Sequence, residues 1–187
     1  MAANETRITA TVCGYYLRRY GYDPATIISV GVGSCPELFV WEWLFPKSKL
    51  VGIDPRSRAG KWKGNDYFCA AASDGKSDVL RFCGSCCSTL CTDPTHRRGG
   101  MVKAITIDEV AKNYPAPYFL WMDCEGGELA ALQGATKTLE ETKWINIEVR
   151  GFAWDQEYPA KLEQWLSEHR YRLAFVHATD DRLYRRK

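Results

Sequence analysis

No apolar run in this 187-residue chain approaches the roughly 20 residues that a membrane helix requires. Its first ten residues, MAANETRITA, lack the basic start and apolar stretch of a secretory signal. Neither sign of charge is in excess, since 25 Lys and Arg face 23 Asp and Glu for a formal net charge of +2. A dedicated nucleic-acid-binding domain is usually far more basic. Internal repeats, low-complexity tracts and Pro/Gly/Ser-rich linkers are all missing. These absences argue against membrane, secreted and nucleic-acid-coating classes. They lead us to expect a cytoplasmic chain folded as one domain over 1–187, with a leading helix within 1–24 and a core over 25–187. A domain of this length buries roughly 70% of the surface its unfolded chain exposes, so it needs no disulfide staples. The eight cysteines are therefore read as reduced thiols.

What is present is an alternation of short apolar runs with helical stretches. Thr11 to Tyr20 reads as a helix stopped by Gly21. Ile27–Val30 and Leu50–Ile53 read as buried strands, Tyr67–Ala71 as a third, and Val79–Phe82 as an extra edge strand. Between the first two, Ser34 and Glu37 have capping-box spacing ahead of an apolar helix over 38–45, with Pro36 in its first turn. Ile107 to Tyr114 is a short helix, and Tyr118–Met122 a strongly apolar strand. Leu129, Leu132, Thr136 and Leu139 then form one helical stripe. Trp144–Val149 is a strand, and Pro159 opens a helix with Leu162, Trp165, Leu166 and His169 on one face. Arg172–Val176 and Leu183–Tyr184 form a closing hairpin. Continuous apolar strands alternating with amphipathic helices imply a doubly wound α/β fold, a mostly parallel sheet covered on both faces. Ligands of such sheets bind outside the carboxyl ends of the strands.

The polar motifs fall at those ends. Gly31-Val32-Gly33 offers a bare backbone, and Asp54 follows 21 residues after Gly33, where an acid can accept ribose hydroxyls. Read blandly, the glycines make a tight turn and Asp54 precedes Pro55 as a turn residue. The dinucleotide fingerprint is incomplete, because Pro36 stands at the third glycine and Glu37 would repel a pyrophosphate. S-adenosylmethionine carries no phosphate and tolerates both. Glu37 is also simply readable as a capping carboxylate.

The segments 28–33, 50–55, 69–74, 107–110, 118–134 and 144–150 together resemble the FkbM-type S-adenosylmethionine-dependent methyltransferases. The most specific piece is Trp121-Met122-Asp123-Cys124-Glu125-Gly126-Gly127-Glu128, similar to that family's I-D-x-E-G-x-E block. Thr106–Val110 resembles its L-D-E-L segment, and Ser88-Thr89-Leu90 its S-S-L loop. The resemblance implies a seven-stranded Rossmann-like sheet with S-adenosylmethionine as cofactor. It places Gly31, Val32 and Gly33 beside the methionine moiety, Asp54 on the ribose, and Ser73 and Asp74 at the adenine edge. Asp123 and Glu125 fall beside the amino-acid end or the acceptor. The chain departs from the family at Ser29, where an acid is common, and at Ser34-Cys35-Pro36.

Methyl transfer from a sulfonium is an in-line displacement that mainly needs alignment. A hydroxyl acceptor also needs a base, and Asp123 and Glu125 are the candidates, their alternative role being to complement a helix dipole. Arg150 and Trp154 line an acceptor pocket or cover the core, while His177 reads as a packed or surface residue. Cys83, Cys86, Cys91 and His96 have spacing that suits zinc. They align with a family loop that needs no metal, and Cys87 fits no role, so no metal is assigned. The expected activity is O-methylation of a sugar, glycan or small metabolite, in a pocket either shallow or completed by another subunit of a homo-oligomer. The alternatives are a non-catalytic nucleoside- or partner-binding domain and an RNA 2′-O-methyltransferase.

Overall fold

The structure, a computed structural model, describes residues 2–33, 36–56, 65–82, 100–151, 155–177 and 180–187. Ser34, Cys35, the 88–90 loop, Trp154 and the zinc-spaced set Cys83, Cys86, Cys91 and His96 lie outside them.

The first helix, α1 (Ala2–Arg19), starts well before the expected Thr11. Its sheet-facing residues are Thr9, Ala10, Cys13 and Leu17, all at or below 1% exposure. Small side chains at helical spacing give little apolar signal, which is why the first half was not legible. Gly21, at φ +63°, ends it.

Seven strands form the main sheet: β1 (Thr26–Val30), β2 (Lys49–Ile53), β3 (Asp66–Phe68), β7 (Tyr118–Met122), β8 (Thr142–Glu148), β9 (Tyr171–His177) and β10 (Asp181–Arg186). Their order is β3-β2-β1-β7-β8-β10-β9. β1 is central and parallel to both neighbours, Val30 pairing with Ile53 on one side and Met122 on the other. β10 runs antiparallel between β8 and β9, completing the expected hairpin. Every residue of β1 and β7 is buried, because helices cover both faces.

The expected third strand breaks in two. Ala70 N–H donates to Phe68 O, turning the chain so that β4 (Ala71–Ala72) leaves the main sheet. β4 pairs with β6 (Gly100–Ile105), and β5 (Val79–Phe82) pairs with β6 antiparallel. The extra edge strand thus belongs to a small second sheet.

On one face of the main sheet, α1 and α2 (Leu38–Leu44) pack Leu17, Trp41, Leu44 and Phe45 against Phe119, Trp121 and Trp144. On the other lie α3 (Ile107–Ala111), α4 (Glu128–Gln133) and α5 (Tyr158–Glu168), with Val110, Leu132 and Leu162 in the core. The expected stripe over 129–139 does not run as one helix. α4 ends at Gln133, Thr136 is exposed, and a 3-10 turn over Thr138–Glu141 follows. Gly134 permits this break, since a Cβ there would stand 1.9 Å from Ser73 O. Among the described residues no helix is long and apolar enough to cross a membrane.

Asp108 holds the break together and gives the Thr106–Val110 segment its structural meaning. Thr106 and Glu109 form a reciprocal capping box that starts α3. One turn on, the Asp108 carboxylate accepts from Thr138 N (2.8 Å), Thr138 Oγ1 (2.7 Å), Lys137 N (3.0 Å) and Thr136 Oγ1 (3.2 Å). Burial pushes this carboxyl up, but those bonds outweigh it and hold the pKa below its ordinary 3.8. A lowered carboxyl pKa stabilises the fold above that ordinary value and loses the contribution as pH falls through the folded one. Asp108→Ala should therefore cost about 1–3 kcal/mol at pH 7. Urea titrations should show the penalty shrinking below pH 3.8.

Candidate functional site

Backbone bonds draw the carboxyl ends of neighbouring strands together. Gly31 N–H donates to Ile53 O (2.9 Å), Asp123 N–H to Val30 O (2.9 Å) and Asp54 N–H to Phe68 O (3.2 Å). Gly31 has φ +81°, and a Cβ on it would lie 1.8 Å from Asp123 O. Glycine is the residue that lets the ends of β1 and β7 close. Gly33, at φ +55°, is open instead: the nearest atom to a Cβ there is Arg56 Nη2 at 3.9 Å. Val32 sends its side chain into the α1/α2 core at 2% exposure.

Asp54 is 1% exposed and turned toward the glycine loop. Its carboxylate accepts from Gly33 N (3.0 Å), Arg56 N (2.8 Å), Arg56 Nε (3.1 Å) and Arg56 Nη2 (3.0 Å). Tyr67 Oη donates to Asp54 O at 3.2 Å and also reaches Arg56 O, bracing the turn from behind.

At the ends of β7 and β8, carboxylate oxygens of Asp123, Glu125 and Glu148 lie within 4.8 Å of one another. Arg150 answers this charge, with Nη2 2.5 Å from Glu125 Oε2 and Nη1 3.6 Å from Glu148 Oε1. Glu148 Oε2 is buried with no hydrogen-bond partner among the described residues. Burial, reinforced by Glu125, Asp181 and Glu128, pushes Asp123 up to about 7 despite Arg150. Burial with Asp123 and Glu125 alongside pushes Glu148 up to about 9. Glu125 is raised as well, chiefly by burial.

Glu128 fixes the loop that carries these groups. It is 1% exposed, and its carboxylate accepts from Cys124 N (3.0 Å), Gly126 N (3.0 Å) and Tyr158 Oη (2.7 Å). Held this way, the chain takes φ +54° at Glu125 and +99° at Gly126, directing Glu125 to Arg150. Glu128 therefore does more than complement the dipole of α4.

Ser34, the expected capping-box partner of Glu37, lies outside the described residues; among those, Glu37 makes no side-chain capping bond at the start of α2 and is 2% exposed. Burial first, then Asp123 and Asp54, raise its pKa to about 8. Ser73 and Asp74 make their hydrogen bonds within their own turn and with the small sheet. Ser73 N–H donates to Ile105 O (3.0 Å), and Asp74 pairs with Lys76 at 2.6 Å. The structure thus gathers Gly31, Gly33, Asp54, Asp123, Glu125 and Arg150, and adds Glu37, Arg56 and Glu148. A carboxylate closing the apolar strand Ile145–Val149 was the available signal for Glu148. No local pattern marks Glu37 or Arg56.

With this geometry in place, known proteins supply a comparison. Residues 97–173 match the methyltransferase FkbM domain. Solved structures share the fold at low identity. The SAH-bound Podospora anserina methyltransferase PaMTH1 superposes with a TM-score of 0.56 at 11% identity, over 97% of this chain and 79% of its own. The plantazolicin methyltransferase BpumL in complex with SAH gives 0.53 at 12%, over 99% and 85%. The precorrin-6y C5,15-methyltransferase from Geobacter metallireducens gives 0.51 at 12%, over 95% and 88%. The fold is the class I methyltransferase fold, as the FkbM resemblance implied. No curated protein matches the chain.

Glu37 gives a test of this electrostatic arrangement. With a folded pKa near 8 against an ordinary 4.5, the folded chain keeps a proton that the unfolded chain releases. Stability is then lost as pH rises from about 4.5 toward 8 and is level beyond. Glu37→Gln should be near neutral at pH 4. At pH 8 it should raise the melting midpoint by several degrees, relief on the order of 1–3 kcal/mol. An unchanged midpoint at pH 8 would place the carboxylate in water.

Proposed function

We propose that this chain is an S-adenosylmethionine-dependent methyltransferase acting on a hydroxyl of a sugar, glycan or small metabolite. The observation that carries the reading is the meeting of a glycine backbone cradle with an excess of carboxylates. Glu37, Asp54, Asp123, Glu125 and Glu148 face Arg56 and Arg150. Arg56 and Arg150 are already paired with Asp54 and Glu125, which leaves them little charge to offer a pyrophosphate, while Asp123 suits a cationic, phosphate-free nucleoside. The FkbM match over 97–173 and the methyltransferase fold point the same way.

The open main chain at Gly33 suits close approach by the cofactor, with Gly31 and Val32 completing the cradle. Asp54 would take the ribose hydroxyls, which replace bonds now made by the Arg56 guanidinium. Ser73 and Asp74 would border the adenine through their turn. When bound, the cofactor supplies a methyl group on a good leaving group. The protein's own work is then alignment and proton removal. Asp123, raised to about 7, is poised to accept a hydroxyl proton near neutral pH. Glu125 is held at the same point by Arg150 and by the Glu128–Tyr158 brace, and Arg150 would also border the acceptor.

Titration calorimetry on the purified chain tests the cofactor class. Heat with S-adenosylmethionine and SAH and none with NAD is expected; no heat with either sulfur nucleoside would sink the reading. Asp54→Ala should weaken that binding by about 10- to 100-fold, the worth of hydrogen bonds to a charged group. Asp123→Asn should lower turnover by about 10²–10⁴-fold with cofactor affinity little changed. A loss confined to affinity would reassign Asp123 to cofactor binding.

A further inference from the structure

The face of α1 and α2 turned away from the sheet is apolar and aromatic. Ile8 (56% exposed) and Tyr15 (54%) lie seven residues apart on one stripe of α1. Phe39 (64%) and Trp43 (66%) lie four apart on α2. The two stripes form one surface. Tyr15 and Trp43 meet edge to face with ring centroids 6.2 Å apart, and the Arg7 guanidinium sits 5.7 Å from the Phe39 ring centroid. Beneath them the helices approach closely, since a Cβ on Gly14 would stand 2.2 Å from Leu44 Cδ1.

We propose that a second copy of this chain docks on this face across a two-fold axis. Composition favours a protein partner over an anionic surface. Arg, Tyr, Trp and Phe are the residues enriched at interface cores, lysine is depleted there, and α1 and α2 contain no lysine. Area favours a copy of the same chain. Four large side chains more than half exposed offer roughly 500 Å². A two-fold contact doubles this to about 1,000 Å², the size at which specific interfaces begin, and closes without leaving a patch free.

The docked copy would stand beside the crevice. α2 begins directly after Glu37, and α1 is tied to Asp181 through Thr9 Oγ1 (3.4 Å). Asp181 in turn raises the Asp123 pKa. A neighbour seated there would add a wall to the site. The docking itself does not depend on the methyltransferase reading.

Sedimentation equilibrium on the full chain over a wide concentration range tests it. The expected result is a reversible dimer, twice the 21.3 kDa of one chain. Trp43→Glu and Phe39→Glu should each weaken self-association by about 30-fold or more, the usual cost of losing an interface anchor. Both side chains are largely exposed, so melting curves recorded at concentrations where wild type is monomeric should be unchanged. A wild-type chain that stays monomeric at every concentration overturns the proposal, as does a dimer that survives both substitutions. Monomers that instead co-sediment with vesicles of anionic phospholipid also overturn it and assign the face to a membrane surface.

Discussion

The carbonyl of Asp123 occupies the space where residue 31 would carry a Cβ. That one contact governs the site, because it lets the ends of β1 and β7 close upon each other. With Gly31 N–H bonded to Ile53 O, the end of β2 joins them, and Asp54 arrives facing the glycine loop. Any side chain at 31 would push the strands apart and separate the two acids that the crevice brings near each other. Parallel strands put their carboxyl ends on one side, and the glycine turns that coincidence into a site.

Bringing so many carboxylates together is costly, and the fold answers each one differently. Asp54 is buried and accepts four hydrogen bonds, three of them from Arg56. Glu128 is buried but satisfied by two backbone N–H groups and a tyrosine hydroxyl. Glu37 and Glu148 have no such set, and their pKa values rise to about 8 and 9, so they hold protons through the neutral range. Asp123 falls between, near 7. The spread of proton affinities comes from partners and burial, not from residue type.

The strands and the glycine–acid ends were legible because period and turn chemistry are local signals. Gly31, Asp54 and Asp123 each close an apolar run, and the structure brings them together. Less legible were features set by tertiary contact. The break of α4 at Gly134 depends on Ser73 O, contributed from a distant turn. The first half of α1 faces the sheet with Thr9 and Ala10, which carry almost no periodic signal. Glu37 is buried beside Asp54 and Asp123, a neighbourhood that no local pattern marks.

Asp54 shows why a well-placed acid is not by itself a binding group. Its lone pairs are already used, and any ribose bound there gains only the difference between its own hydrogen bonds and those of Arg56. That difference need not be unfavourable. The Arg56 side chain is 33% exposed, so a displaced guanidinium can recover hydration at modest expense. The Gly33 N–H and Arg56 N–H bonds would remain and keep the carboxylate aimed. Until displaced, Arg56 neutralises a carboxylate that would otherwise be buried without a counter-charge. The same residue thus protects the fold and, in the proposed function, would set how tightly a nucleoside must bind to take its place.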